Sequence, residues 1–438
     1  MKKTFYLLVT LLVTSLLLSA CQLSPKLLAE NKNKNISIEK QFSPLSEYQL
    51  NESQLSEHPL SEDQLNEPSL LKVGAEQPAL YLPQLQGKRV GLVVNQTSVV
   101  NGQHLVDFLL SKKVNVSVIF APEHGFRGDR DAGEKFSDTL DKKTGVPLVS
   151  IYGKSKKPSR EVMASVDIII FDIQDVGVRF YTYISSMHYM MAAANEANIE
   201  FMVLDRPNPN GMYIDGPVLE AQFQSFVGMH PIPLLHGLTV GELARMIVGE
   251  SWLTPQSSIE SENRLELTVI PVANYHHGMS YSLAIKPSPN LPNDNSIALY
   301  PSLAFFEATP VSIGRGTQLP FQVIGHDSIS LGDYTFTPIS TPGAALTPKL
   351  MNKTLTGINL ISSNQTGLSL SYLLEWYQEF TGKEHTFFIH PKFMDKLAGT
   401  DKLRKAIETG HSEQQIKQSW QQDLAKYRLL REQYLLYR

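Results

Sequence analysis

Short apolar runs alternate with helical stretches through the first half of this chain, and that alternation limits the fold more than any other feature. Arg89-Val-Gly-Leu-Val-Val94 precedes a helical stretch over Gln103 to Leu110, and a second run follows from Val114 to Phe120. The series continues through Leu148 to Tyr152, a helix near Arg160 to Ala164, and the run Asp167 to Asp172. A Met- and Ala-rich helix over Met187 to Ala197 and a strand over Glu200 to Leu204 complete it. Strands separated by helices pair through crossovers, so the pattern predicts an α/β fold with a doubly wound, mostly parallel sheet over residues 76–280. Beyond about residue 280 Pro-rich loops (Lys286-Pro-Ser-Pro-Asn-Leu-Pro292) lead into a mixed pattern. It closes with an amphipathic, charged helix from about Ser412 to Tyr437. Residues 281–438 are therefore expected to form a second, smaller α/β domain.

The N-terminus reads differently. Lys2 and Lys3 precede an apolar stretch from Phe5 to Leu18 that is too short for a comfortable membrane span and has the form of a secretory signal. It ends Leu18-Ser19-Ala20-Cys21, which resembles a bacterial lipobox, and Cys21 is the only cysteine in 438 residues. Residues 1–20 are read as a lipoprotein signal peptide and Cys21 as the acylated residue that follows it, with acyl chains supplying membrane affinity. A generic signal with an incidental cysteine is the plainer alternative. Gln22, rather than Asp, after the cysteine resembles outer-membrane retention, so the expected location is the cell envelope, lipid-anchored on the periplasmic side of the outer membrane. Residues 21–75 are read as a disordered acidic tether. Pro44-Leu-Ser-Glu-Tyr-Gln-Leu-Asn-Glu52 is nearly repeated as Pro59-Leu-Ser-Glu-Asp-Gln-Leu-Asn-Glu67, and residues 41–71 carry six acidic groups and no lysine or arginine. Like charges extend such a segment, and Pro44, Pro59 and Pro68 interrupt a helical interaction arm, the competing reading. A net charge of −4 without a basic, aromatic-interleaved stripe gives no footprint for nucleic acid.

No Gly-x-Gly-x-x-Gly follows the first strand, and there is no P-loop lysine, Gly-x-Ser-x-Gly elbow or His-Glu-x-x-His helix. No cofactor is expected. The chemistry-bearing residues gather instead at predicted strand ends, where an open α/β sheet places its ligand-handling loops. Glu123 and His124 follow the second run, with Arg127 just beyond. A carboxyl beside an imidazole in a cleft can be tuned for proton transfer, whereas a helix cap or a pair with Arg127 would be structural. Asp172, Asp175, Arg179, Tyr181 and Tyr183 supply carboxylates, an anion clamp and stacking surfaces, or else a turn network. Asp205 and Arg206 suit a ligand contact or a buried salt bridge equally well. Thr239 with Glu242 reads as a capping box, which leaves His236 as the more informative residue there. Glu307 precedes Gly314-Arg315-Gly316, where an arginine between glycines suits an anion, or a surface turn. Glu123, His124, Asp172, Asp175 and His236 lack diagnostic metal-ligand spacing, so no metal is expected.

Together these groups resemble the peptidoglycan exo-β-N-acetylmuramidases, the NamZ family. The matching stretches are Pro122-Glu-His-Gly-Phe-Arg-Gly128, Phe171-Asp-Ile-Gln-Asp-Val-Gly-Val-Arg179 with Tyr181-Thr-Tyr183, and Leu204-Asp-Arg-Pro-Asn-Pro209. His236-Gly237 with Gly241-Glu242, Pro287 to Pro292, Gly314-Arg-Gly-Thr317 and Trp420 to Tyr437 extend the likeness over about residues 80–438. One departure is Ala308, where the family pattern has glycine after the glutamate. The resemblance implies a Rossmann-like N-terminal domain, a smaller α/β domain, and a site in the cleft between them. It implies release of N-acetylmuramic acid from the non-reducing ends of peptidoglycan fragments without metal or nucleotide. Glycoside cleavage needs a protonated carboxyl for the leaving oxygen and commonly a second group. Glu123 is the expected acid. Asp172 and Asp175 are candidates for the second role, with Tyr181 or the substrate's acetamido group as alternatives. Arg127, Arg179, Arg206 and Arg315 are available for the lactyl carboxylate. Two other classes compete: a lipid-anchored muropeptide or sugar receptor, and a metal-dependent hydrolase.

Overall fold

The computed structural model describes residues 70–122, 125–127, 139–153, 156–253 and 265–438, and residues 68–438 belong to one compact unit. Its centre is a seven-stranded sheet. In chain order the strands are β1 (Arg89–Val94), β2 (Asn115–Ala121), β3 (Thr139–Leu140), β4 (Pro147–Ser150), β5 (Ile168–Asp172), β6 (Glu200–Leu204) and β7 (Leu267–Ile270). They lie in the order β3-β4-β2-β1-β5-β6-β7, and only the short edge strand β3 pairs antiparallel. The chain thus builds outward from β1 on one side, returns, and builds outward on the other. The expected doubly wound α/β architecture is present.

The central strands are apolar because both of their faces are covered. Val90, Leu92 and Val94 of β1, with Ile168 and Ile170 of β5, pack into one core with helix α1 (Leu105–Ser111). Val93, Phe120, Phe171, Phe201 and Val203 point the other way, against α2 (Arg160–Met163), α3 (Tyr183–Ala197) and α4 (Val240–Gly249). Residues alternate between faces along each strand. Helix α3 is buried along most of its length, which explains its Met, Ala and Ser content, and it ends at Asn198 in the left-handed region (φ 54°). The capping box at the start of α4 forms: Thr239 Oγ1 accepts from the Glu242 amide at 3.2 Å and Glu242 Oε2 from the Thr239 amide at 3.0 Å.

The C-terminal part joins the second of these cores. It contains α5 (Asp294–Leu303), a three-stranded antiparallel sheet of β8 (Val323–His326), β9 (Tyr334–Phe336) and β10 (Leu355–Asn359) in the order β8-β10-β9, then α6 (Ser371–Gly382), α7 (Pro391–Ala398) and α8 (Lys402–Glu408). The single closing helix expected from about Ser412 to Tyr437 is two helices, α9 (Glu413–Ser419) and α10 (Gln421–Glu432). They break at Trp420, whose buried ring anchors the junction by donating Nε1–H to Asp215 Oδ1 at 3.0 Å.

Candidate active site

Strand order reverses between β1 and β5, which run side by side with Val94 opposite Asp172. Open α/β sheets hold their ligands beyond the carboxyl ends of strands at such a switch. A cleft of about 320 Å³ lies on that side, lined by Tyr152 after β4 and by Phe180, Tyr181, Thr182 and Tyr183 after β5. Ser288 and Asn290 of the Pro-rich loop, Tyr300 of α5, Glu307, Arg315, Phe321, and Phe393 and Leu397 of α7 supply much of the remaining wall, with Phe226 from the loop before α4. The inner wall is an edge-to-face aromatic set: Phe180 to Tyr300 at 5.2 Å, Tyr300 to Phe321 at 5.0 Å, and Tyr181 to Tyr183 at 5.1 Å. Tyr181 is fixed by donating its hydroxyl proton to the Pro287 carbonyl at 2.8 Å.

Glu307 and Arg315 put the charge in this wall. Their Oε1 and Nη1 are 3.0 Å apart, and their side chains are 26% and 31% exposed. Glu307 sits in the 3-10 turn Ala304–Ala308 that follows α5. Lys349 holds that turn by donating to the Phe306 and Thr309 carbonyls, each at 2.7 Å. Burial draws the Lys349 ammonium below its ordinary pKa, which Glu307 partly offsets. Arg315 lies between Gly314 (φ 79°) and Gly316 (φ 82°), a backbone that other residues adopt with strain. A carboxylate and a guanidinium inside an aromatic cleft suit a sugar that carries an anionic substituent.

The other expected site residues are placed elsewhere. Arg179 is fully buried and donates to four backbone carbonyls: Pro217 and Ile232 at 2.7 Å, Ala398 at 2.6 Å and Leu397 at 3.2 Å. It caps the C-terminus of α7, where a positive charge meets the free carbonyls of the last turn. Burial lowers its pKa to about 9, so the guanidinium stays charged at neutral pH. Arg206 grips Asp172 with two bonds, Nε to Oδ1 at 2.6 Å and Nη2 to Oδ2 at 3.0 Å, both groups buried. Asp205 accepts from the Gly241 and Arg206 amides and from the Thr239 and Tyr437 hydroxyls, all within 2.9 Å. Burial raises its pKa to about 6. Asp175 accepts from the Gly177 amide at 2.7 Å, and burial raises its carboxyl to about 7. His236 is buried, takes a bond from the Leu238 amide at 3.2 Å, and is pushed down to about 3 by burial. Arg127 pairs with Asp141 at 3.1 Å. Glu123, His124 and Cys21 lie outside the described residues. Of the expected set, the cleft thus brings together Tyr181, Tyr183, Glu307 and Arg315. Among the described residues no cluster of three or more His, Cys, Asp or Glu side chains is arranged to hold a metal.

Sequence models of the exo-β-N-acetylmuramidase NamZ family match residues 90–295 with the N-terminal part and 298–437 with the C-terminal part. The chain belongs to the NamZ family. It is 39% identical over 381 residues to the peptidoglycan β-N-acetylmuramidase NamZ of Bacillus subtilis (strain 168), covering 82% of this chain and 89% of that relative. Two crystal structures of DUF1343 family proteins from Bacteroides fragilis NCTC 9343 share the fold. One is 46% identical with a TM-score of 0.76 and the other 30% identical with a TM-score of 0.72, each alignment covering 84% of this chain and 99% of the other. In this NamZ family member the cleft also uses Tyr152, Phe226 and Phe393, which sequence reasoning did not single out. Phe226 and Phe393 follow no strand, and nothing in a lone aromatic on a loop or short helix signals a shared wall.

Proposed function

We propose that this chain is an exo-acting glycoside hydrolase that releases N-acetylmuramic acid from the non-reducing ends of peptidoglycan fragments. The observation that carries the reading is a cleft of one-sugar size with a carboxylate and a guanidinium in an aromatic wall, found in a NamZ family chain. Glu123 gives its proton to the glycosidic oxygen as the bond to C1 breaks, and water completes the sugar at C1. Glu307 is the second carboxyl: it is the acidic residue among the described lining, and neither Asp172 nor Asp175 borders the cleft. Arg315 takes the lactyl carboxylate, because it borders the cleft beside Glu307 and Arg179, Arg206 and Arg127 do not line it. Tyr181 packs against the sugar ring. The test is hydrolysis of a chromogenic β-N-acetylmuramide and the matching glucosaminide by the purified full chain and its Glu123→Gln variant. Turnover of the muramide alone, reduced at least about a thousandfold by Glu123→Gln, is expected. Equal rates for variant and parent would remove Glu123 from the chemistry.

The chain is also proposed to be lipid-anchored in the cell envelope through Cys21, on the strength of the apolar run and lipobox-like Leu18-Ser19-Ala20-Cys21. Metabolic labelling with a fatty acid should mark the parent and not Cys21→Ser. Labelling of both would show the cysteine to be incidental.

A further inference from the structure

The rings that line the cleft fall into a buried set and a more exposed set. Phe180, Tyr181, Tyr183 and Phe321 are buried, none more than 8% exposed, whereas Phe393 is 38% exposed and Tyr152 and Phe226 are partly exposed. These three outer rings come from three separate segments, the loop after β4, the loop before α4 and helix α7, yet all border the same cleft. Phe226 is held in position by Tyr189, stacked at 6.2 Å, and by the Lys156 ammonium 4.9 Å above its ring.

We propose that Tyr152, Phe226 and Phe393 form a subsite for the amino sugar on the reducing side of the scissile bond. The inference rests on the exo-muramidase reading and adds the position of the leaving sugar. A cleft of about 320 Å³ is at the small end of ligand sites and takes one substituted sugar. An enzyme acting from the non-reducing end encloses that terminal sugar among the buried rings, so the remainder of the glycan runs toward solvent and meets the more exposed rings. The C–H faces of a pyranose are apolar, and an aromatic ring preset by its neighbours binds such a face at small entropic cost. The exposed Phe393 then has a use that a core residue or a surface turn does not supply.

The test compares two substrates of the full chain. The disaccharide N-acetylmuramyl-β-1,4-N-acetylglucosamine fills the subsite, and β-N-acetylmuramyl fluoride has a leaving group too small to reach it. In Phe393→Ala and Phe226→Ala the ratio of kcat/KM for disaccharide over fluoride is expected to fall about tenfold, a loss of the size of one aromatic contact. Phe393→Tyr should restore most of it. A ratio unchanged in both alanine variants, whether or not the two rates fall together, overturns the subsite and makes the rings part of the cleft wall. A parent enzyme that cleaves neither substrate would instead overturn the muramidase reading, and the subsite with it.

Discussion

Arg179 and Arg315 show how far a side chain's type is from its task. Each follows a glycine by one or two residues, and sequence reasoning offers both to the same carboxylate. Arg315 borders the cleft, while Arg179 reaches carbonyls between 38 and 219 residues away along the chain. Local sequence shows what a residue can bind and is silent on partners at that separation, which is why the expected cluster separated into a cleft and a buried scaffold. Asp175 is the most testable member of that scaffold. Burial raises its carboxyl from 3.8 to about 7, so between these values the folded chain keeps a proton that the unfolded chain has released. Stability therefore falls as pH rises through that window. Asp175→Asn keeps an acceptor for the Gly177 amide and removes the buried charge. It should stabilise the protein on the order of 2 kcal/mol at pH 8, with the gain vanishing near pH 4. Urea unfolding at the two pH values measures this, and a larger gain at pH 4 would contradict it.

At the level of elements, legibility follows burial. β1 and β6 match their sequence-based limits because strands covered on both faces are unbroken apolar runs. β7, with Thr268 in a four-residue strand, gives no such run, and β8 to β10 lie among loops whose pairing is set by distant residues. The closing helix was legible as helical but not as broken, because the break depends on Asp215, far away in sequence. The turn that carries Arg315 makes a sharper prediction. A Cβ on Gly316 would lie 2.5 Å from the Ile339 carbonyl oxygen on a backbone of positive φ. Gly316→Ala should cost about 1–3 kcal/mol and displace Arg315, lowering kcat/KM for a muramide more than for any neutral glycoside the enzyme accepts. Thermal unfolding and paired kinetics decide it. A variant as stable and as active as the parent would show that the turn is dispensable.

Across the whole molecule, the last turns of the chain close the first sheet. Arg431 bonds the Gly237 carbonyl, Arg245 holds the Tyr434 and Leu435 carbonyls, and Leu436 donates to Glu242. Tyr437 donates to Asp205 at 2.7 Å and accepts from the Val272 amide at 2.8 Å. Tyr437→Phe leaves both groups without that oxygen and should destabilise the fold by roughly 2 kcal/mol, read by denaturant unfolding with an unchanged slope. A change below a few tenths of a kcal/mol would mean that water replaces the hydroxyl there. The family likeness of the C-terminal stretch was visible in the sequence, but its return to Asp205, just past the end of strand β6, was not, because that contact spans 232 positions. The same span sets an order of events during synthesis. When the ribosome has made everything through β7, Asp205 and the Val272 amide still wait for the Tyr437 hydroxyl, 165 positions beyond Val272. A nascent chain halted between β7 and Tyr437 holds the buried Asp205 carboxyl with three of its four donors in place.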